Sequence, residues 1–83
     1  MVSDVNVLLF GAAADRAGTR QTKVPINHGA TLGELWSVLA DQHPGLAPMR
    51  ETLAFAVNSE YARMEDTVST GDEVAVLPPV SGG

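Results

Sequence analysis

The sequence predicts one α+β domain, and three observations carry that prediction: β-rich runs near both ends of the chain, a single amphipathic helix between them announced by a capping box, and a length of 83 residues that supports only one core. A chain this short buries only about 60% of its unfolded surface. With a radius of gyration of roughly 12 Å, it leaves little room for an enclosed cavity framed by several catalytic side chains. Function is therefore expected on a surface or at an end.

Val5-Asn6-Val7-Leu8-Leu9-Phe10 is rich in β-formers and stops at Gly11, which predicts a first strand. Alternation places Val5, Val7 and Leu9 on one face and Leu8 and Phe10 on the other. Ala12 to Ala17 fits a helical turn ended by Gly18, and Arg20 to Ile26 a second strand in a hairpin-like unit, with Pro25 marking it as an edge. Thr31-Leu32-Gly33-Glu34 has the pattern of a capping box. Leu32, Leu35, Trp36 and Leu39 follow at i, i+3, i+4 and i+7, so they share one stripe that should pack on a sheet; His43-Pro44-Gly45 ends the helix. Leu53 to Val57 predicts a third strand, with Asn58 and Ser59 turning the chain toward a short segment around Tyr61. Thr70-Gly71-Asp72 turns into a last strand, Glu73 to Leu77, closed by Pro78-Pro79. The resulting order is ββαβ(β)β, with the first and last strands as candidates for parallel pairing at the sheet centre.

Composition excludes several classes of function. With 45% hydrophobic and 18% charged residues the chain is expected to fold. Ten acidic residues oppose five basic ones, for a net charge of −5. Arg16, Arg20, Lys23, Arg50 and Arg63 are scattered and make no footprint for nucleic acid; a partner with a basic surface suits this charge better. There is no cysteine, so disulfides, thiolate metal sites and thiol nucleophiles are ruled out. Neither a signal peptide nor a membrane-spanning run is recognisable, which gives the expectation of a cytoplasmic protein without membrane contact.

Candidate chemistry in the body of the chain is sparse. His28 and His43 fall in expected loops with no partner at metal-ligand or triad spacing. Glu65-Asp66 and Asp72-Glu73 sit in turn contexts, where Asp is at home and adjacent carboxylates are usually solvated. Gly11 and Gly18 fit neither the Walker pattern nor the dinucleotide fingerprint.

The C-terminal end differs. After a strand and two prolines come Val80, Ser81, Gly82 and Gly83, which cannot continue the sheet and should project. Fully extended, Pro79 to Gly83 reaches roughly 16 Å, and residues without a Cβ pass where a side chain would clash. A terminal carboxylate is a poor electrophile, but adenylylation converts it into a mixed anhydride open to a sulfur nucleophile. The product is a terminal thiocarboxylate, which would carry sulfur on the main chain of a protein that has no thiol. With glycine near 7% of residues, a terminal Gly-Gly arises by chance in about one chain in 200, so the pair acquires meaning from its flanking sequence.

That context is specific. Gly71-Asp72-Glu73-Val74-Ala75-Val76-Leu77-Pro78-Pro79-Val80-Ser81-Gly82-Gly83 resembles the C-terminal signature of the small-subunit family of molybdopterin synthase, sulfur carriers related to the thiamine sulfur carrier and to ubiquitin. Further matches run over nearly the whole chain: the opening strand ending Leu9-Phe10, the Ala-rich turn to Gly18, Thr31-Leu32-Gly33-Glu34-Leu35, and Ala56-Val57-Asn58 before Tyr61. The resemblance implies a ubiquitin-like β-grasp domain over residues 1–78, a mixed sheet with the helix on one face, and a flexible tail over 79–83. It implies that Gly83 is adenylated by an ATP-dependent activating enzyme and loaded from a sulfurtransferase. The tail would then enter the large subunit of a heterotetrameric synthase, where sulfur passes to precursor Z. No cofactor is expected on this chain; ATP serves the activating partner. One departure is Ala14-Asp15, where many relatives carry an arginine followed by an acid.

Leu8, Phe10, Leu77, Pro78, Pro79, Val80, Ser81 and Gly82 are the expected partner contacts. If Val74 and Val76 face the helix, Ala75 and Leu77 share the opposite face with Leu8 and Phe10, and an open apolar patch beside the tail is a natural docking site. Sulfur carriage for thiamine or cysteine synthesis, and ubiquitin-like modification of target lysines, are the alternatives that share the Gly-Gly tail.

Overall fold

The structure, a computed structural model, describes residues 2–78, with side chains from Asp4 onward. Five strands, β1 (Val2–Leu9), β2 (Gln21–Asn27), β3 (Ala54–Val57), β4 (Glu60–Tyr61) and β5 (Glu73–Leu77), form one sheet in the order β2-β1-β5-β3-β4. β1 and β5 are parallel and lie side by side at its centre, as the sequence predicts, while the remaining pairs are antiparallel. Pro25 lies on β2, an edge strand, where a missing N–H does least harm.

Helix α1 (Gly11–Ala17) follows β1 and ends at Gly18, whose φ of 75° supplies the left-handed cap. Phe10 is the residue preceding α1 and no longer part of the strand, because Gly11 turns the chain with a φ of +53°. Helix α2 (Leu32–Gln42) begins with the predicted capping box: Glu34 N–H donates to Thr31 Oγ1 at 3.2 Å, and Thr31 N–H donates to Glu34 Oε1 at 3.1 Å. A 3₁₀ helix over Pro44–Met49 occupies a stretch that carries no periodic signal.

The core lies between α2 and one face of the sheet. Leu32, Leu35 and Leu39 of α2 are fully buried against Val5, Val7, Val24, Val74 and Val76. Trp36 meets Phe55 edge-on, with ring centroids 5.4 Å apart, a favoured aromatic geometry. Leu46, Leu53 and Val68, from the connecting segments, complete the core. The chain between β4 and β5 is stitched to the start of α2 by Leu32 N–H to Asp66 O, Gly33 N–H to Met64 O and Val68 N–H to Ala30 O. Among the described residues no layer covers the other face of the sheet.

Candidate functional site

The pairing registers lay the uncovered face out as rows. Leu8 pairs with Ala75, Ala75 with Ala56, and Ala56 with Tyr61, so one apolar row crosses β1, β5, β3 and β4. Leu77 pairs with Ala54 one step closer to the end of β5, and Phe10 flanks it just past β1. Leu8, Phe10, Ala56, Ser59, Tyr61, Glu73, Ala75 and Leu77 together line a shallow groove of about 310 Å³. Phe10 is 44% exposed and Tyr61 76%, while Leu8, Ala75 and Leu77 are half-buried. Polar side chains take over toward the other end of this face, where Asn6 pairs with Lys23 on one side and Glu73 on the other.

The chain leaves the sheet at the apolar end. Phe10 N–H donates to Val76 O at 3.2 Å, which ties the start of α1 to the last strand. A Cβ added at Gly11 would lie 3.2 Å from Pro78 Cγ, so Pro78 packs closely beside the Phe10–Gly11 turn. Leu8, Phe10 and Leu77, three of the expected contact residues, thus share the open face, and Pro78 lies at the same edge against Gly11. Pro79, Val80, Ser81, Gly82 and Gly83 lie outside the described residues.

Sequence alone did not single out Ala56, Ser59 and Tyr61 as site residues. The signal was nonetheless present. A two-residue loop at Asn58-Ser59 fixes the β3–β4 register, and that register puts Tyr61 opposite Ala56.

The other candidates take structural places. His28 is exposed in the turn after β2, and His43 caps the C-terminus of α2. Among the described residues no group of acids and histidines is arranged to hold a metal ion. Asp66 Oδ2 accepts from Arg63 N–H at 2.9 Å, and Asp72 Oδ2 from Ser69 N–H at 2.8 Å, the turn role expected of both. Ala14 and Asp15, with Phe10, Gly11 and Arg20, border a neighbouring groove of about 560 Å³. No helix among the described residues is long and apolar enough to cross a membrane.

An open apolar face beside the end of the last strand, on a mixed sheet clasping one main helix, defines a ubiquitin-like β-grasp protein. The chain belongs to the ThiS family, whose profile matches residues 7–83. Among its relatives is the human molybdopterin synthase sulfur carrier subunit, 38% identical over 82 residues that cover 95% of this chain and 93% of that protein. The crystal structure of small archaeal modifier protein 1 from Haloferax volcanii superposes with a TM-score of 0.87 at 29% identity, covering 94% of this chain and 99% of that one. A complex of subunits 1 and 2 of the molybdopterin-converting factor from Helicobacter pylori contains a chain that matches with a TM-score of 0.66 at 27% identity, with both chains covered completely.

Proposed function

We propose that this chain is the sulfur-carrier subunit of a molybdopterin synthase and that Gly83 is the residue that bears the sulfur. The observation that carries the reading is the placement of the chain's exit: Pro78 leaves the sheet at the same edge where Phe10 and Leu77 present apolar surface. A partner seated on that face sits beside the root of the tail. From there roughly 16 Å of extended chain is enough to carry Gly83 into a reaction site in the partner.

In this reading the body of the chain docks and the end reacts. An ATP-dependent activating enzyme transfers AMP to the Gly83 carboxylate and releases pyrophosphate. A hydrosulfide-level nucleophile, supplied through a sulfurtransferase, then displaces AMP and leaves a thiocarboxylate. Inside the large synthase subunit this sulfur passes to precursor Z, and the regenerated carboxylate returns for another cycle. The absence of cysteine from the chain leaves the thiocarboxylate as the protein's one thiol-like group. The reading sets this cycle in the cytoplasm, where ATP is available, and makes the chain a co-substrate rather than an autonomous catalyst.

Peptide mass spectrometry after incubation with ATP, the activating enzyme and a sulfur source tests the reading. Sulfur replacing oxygen has nearly the nominal mass of an oxidised Met1, Met49 or Met64, so alkylation is the discriminating step. An alkylated sulfur confined to Gly83 is the expected result; an unmodified C-terminus with a competent activating enzyme would overturn it.

A second reading, a ubiquitin-like modifier, is favoured by the likeness to the Haloferax volcanii protein, whose name is that of a modifier. It predicts a ladder of lysine conjugates that depends on Gly83.

A further inference from the structure

The hairpin between β3 and β4 turns on two residues, Asn58 and Ser59, with φ angles of 50° and 72°. Because Val57 pairs with Glu60, this is a two-residue loop in which both residues are left-handed, the geometry of a type I′ turn, for which Asn-Gly is the preferred sequence. Asn58 suits the first position and is held there by three hydrogen bonds. Its N–H donates to Glu73 O at 2.8 Å, its Nδ2 donates to Asp72 Oδ1 at 3.0 Å, and its Oδ1 accepts from Glu73 N–H at 3.0 Å.

Ser59 is placed differently. A left-handed φ disfavours a residue with a Cβ, and glycine would relieve it. The Ser59 side chain is exposed and makes none of the side-chain hydrogen bonds among the described residues. It nevertheless lines the groove with Leu8, Phe10, Tyr61, Ala75 and Leu77. Backbone strain of this kind persists where the surrounding structure over-determines it, and it clusters at functional positions.

We infer that Ser59 is a specificity-determining contact of the docking face: its hydroxyl makes a hydrogen bond to the synthase large subunit, and the turn holds a serine in place of glycine for that contact. The inference rests on the docking reading given above. Apolar side chains form most of this wall and supply affinity without fixing orientation, whereas a placed hydroxyl at the rim sets the register of the two surfaces. The surface opposite is expected to be apolar at its centre, with a hydrogen-bonding group facing Ser59.

The test measures two quantities on the full-length chain: thermal unfolding of the free protein, and calorimetric affinity for the purified large synthase subunit of the same organism. Ser59→Gly is expected to raise Tm by roughly 4 °C or more as the turn strain is released, and to weaken binding about 3- to 10-fold through the lost hydrogen bond. Ser59→Ala keeps the backbone strain and removes only the hydroxyl, so it should weaken binding to the same extent without the rise in Tm. If both variants bind like the parent while Phe10→Ala binds weakly, Ser59 is a turn residue only and the inference fails alone. If Ser59→Gly weakens binding and Ser59→Ala does not, turn stiffness is responsible and the hydroxyl contact is refuted. If Phe10→Ala also binds like the parent, the docking reading itself fails, and the inference with it.

Discussion

The two faces of the sheet are built from the same strands and the same kinds of residue, yet they meet opposite fates. On one face Val5, Val7, Val74 and Val76 are fully buried beneath Leu32, Leu35 and Leu39 of α2. On the other, Leu8, Ala75 and Leu77 remain half-buried, and Phe10 and Tyr61 stand in solvent. Period-two alternation assigns neighbours such as Leu8 and Leu9, or Val76 and Leu77, to these two environments. The one long helix can cover one face only. Single large apolar residues on a surface need no explanation, but an apolar row in register across four strands, Leu8, Ala75, Ala56 and Tyr61, flanked by Phe10 and Leu77 near the chain's exit, does. The separation also means that the side chains that hold the core and those that the proposed docking would use are different, so each set can be disturbed alone.

The largest expected effect lies on neither face. Deleting Gly83 should abolish sulfur transfer completely while Tm stays unchanged, because the core is assembled from residues 5 to 76; an assay of molybdopterin formation beside a melting curve shows both. A truncated chain with full activity would remove the tail from the mechanism and leave the open face without its proposed purpose. Next is the closed face. Leu39→Ala removes a fully buried side chain and should cost about 2–5 kcal/mol of stability, measurable by urea unfolding. Below the transition its affinity for the partner should be that of the parent. A loss of affinity without a loss of stability would break the division between the faces.

How far the sequence reveals this division follows from periodicity. The capping box and the stripe on α2 are legible because each has a fixed spacing. β1 and β5 alternate cleanly, so their inward and outward residues can be separated before any pairing is known. Leu46, from the 3₁₀ helix over Pro44–Met49, and Val68, from the β4–β5 connection, enter the core where no period marks the inward side, whereas Leu53, just before β3, shares the alternation that turns Phe55 inward. Phe10 reads as the end of a strand because its side chain fits one, whereas the φ of +53° at Gly11 makes it the residue that opens α1. Tyr61 joins the open face only through the register of β4 against β3, a two-residue strand too short to show a pattern. The tail is the reverse case: the proposed chemistry of Gly83 rests on the sequence signature around Gly82-Gly83.

The open face is sharpened by Phe10→Ala. The ring is nearly half exposed and lies outside the core, so truncation should change Tm little. Burial of the 44% of Phe10 still exposed in a complex contributes about 0.7–1.3 kcal/mol, a loss of roughly 3- to 10-fold in affinity. Calorimetry with the large subunit checks the number. An unchanged affinity would place the interface elsewhere and leave Phe10 and Tyr61 unexplained.

The smallest effect comes from the far side of the closed face. Thr31→Ala removes the hydroxyl that accepts from Glu34 N–H at 3.2 Å and opens the capping box of α2, at a cost of about 1 kcal/mol. For a domain of this size that lowers Tm by roughly 4–8 °C. The cap is reached through the helix and the β4–β5 connection, and none of its hydrogen bonds involves a residue of the apolar row. Affinity for the partner at 25 °C should therefore be that of the parent, even though the helix opposite the open face has been weakened. A parallel fall in affinity would mean that α2 sets the shape of the open face through the sheet, and the two faces would then have to be treated as one cooperative unit.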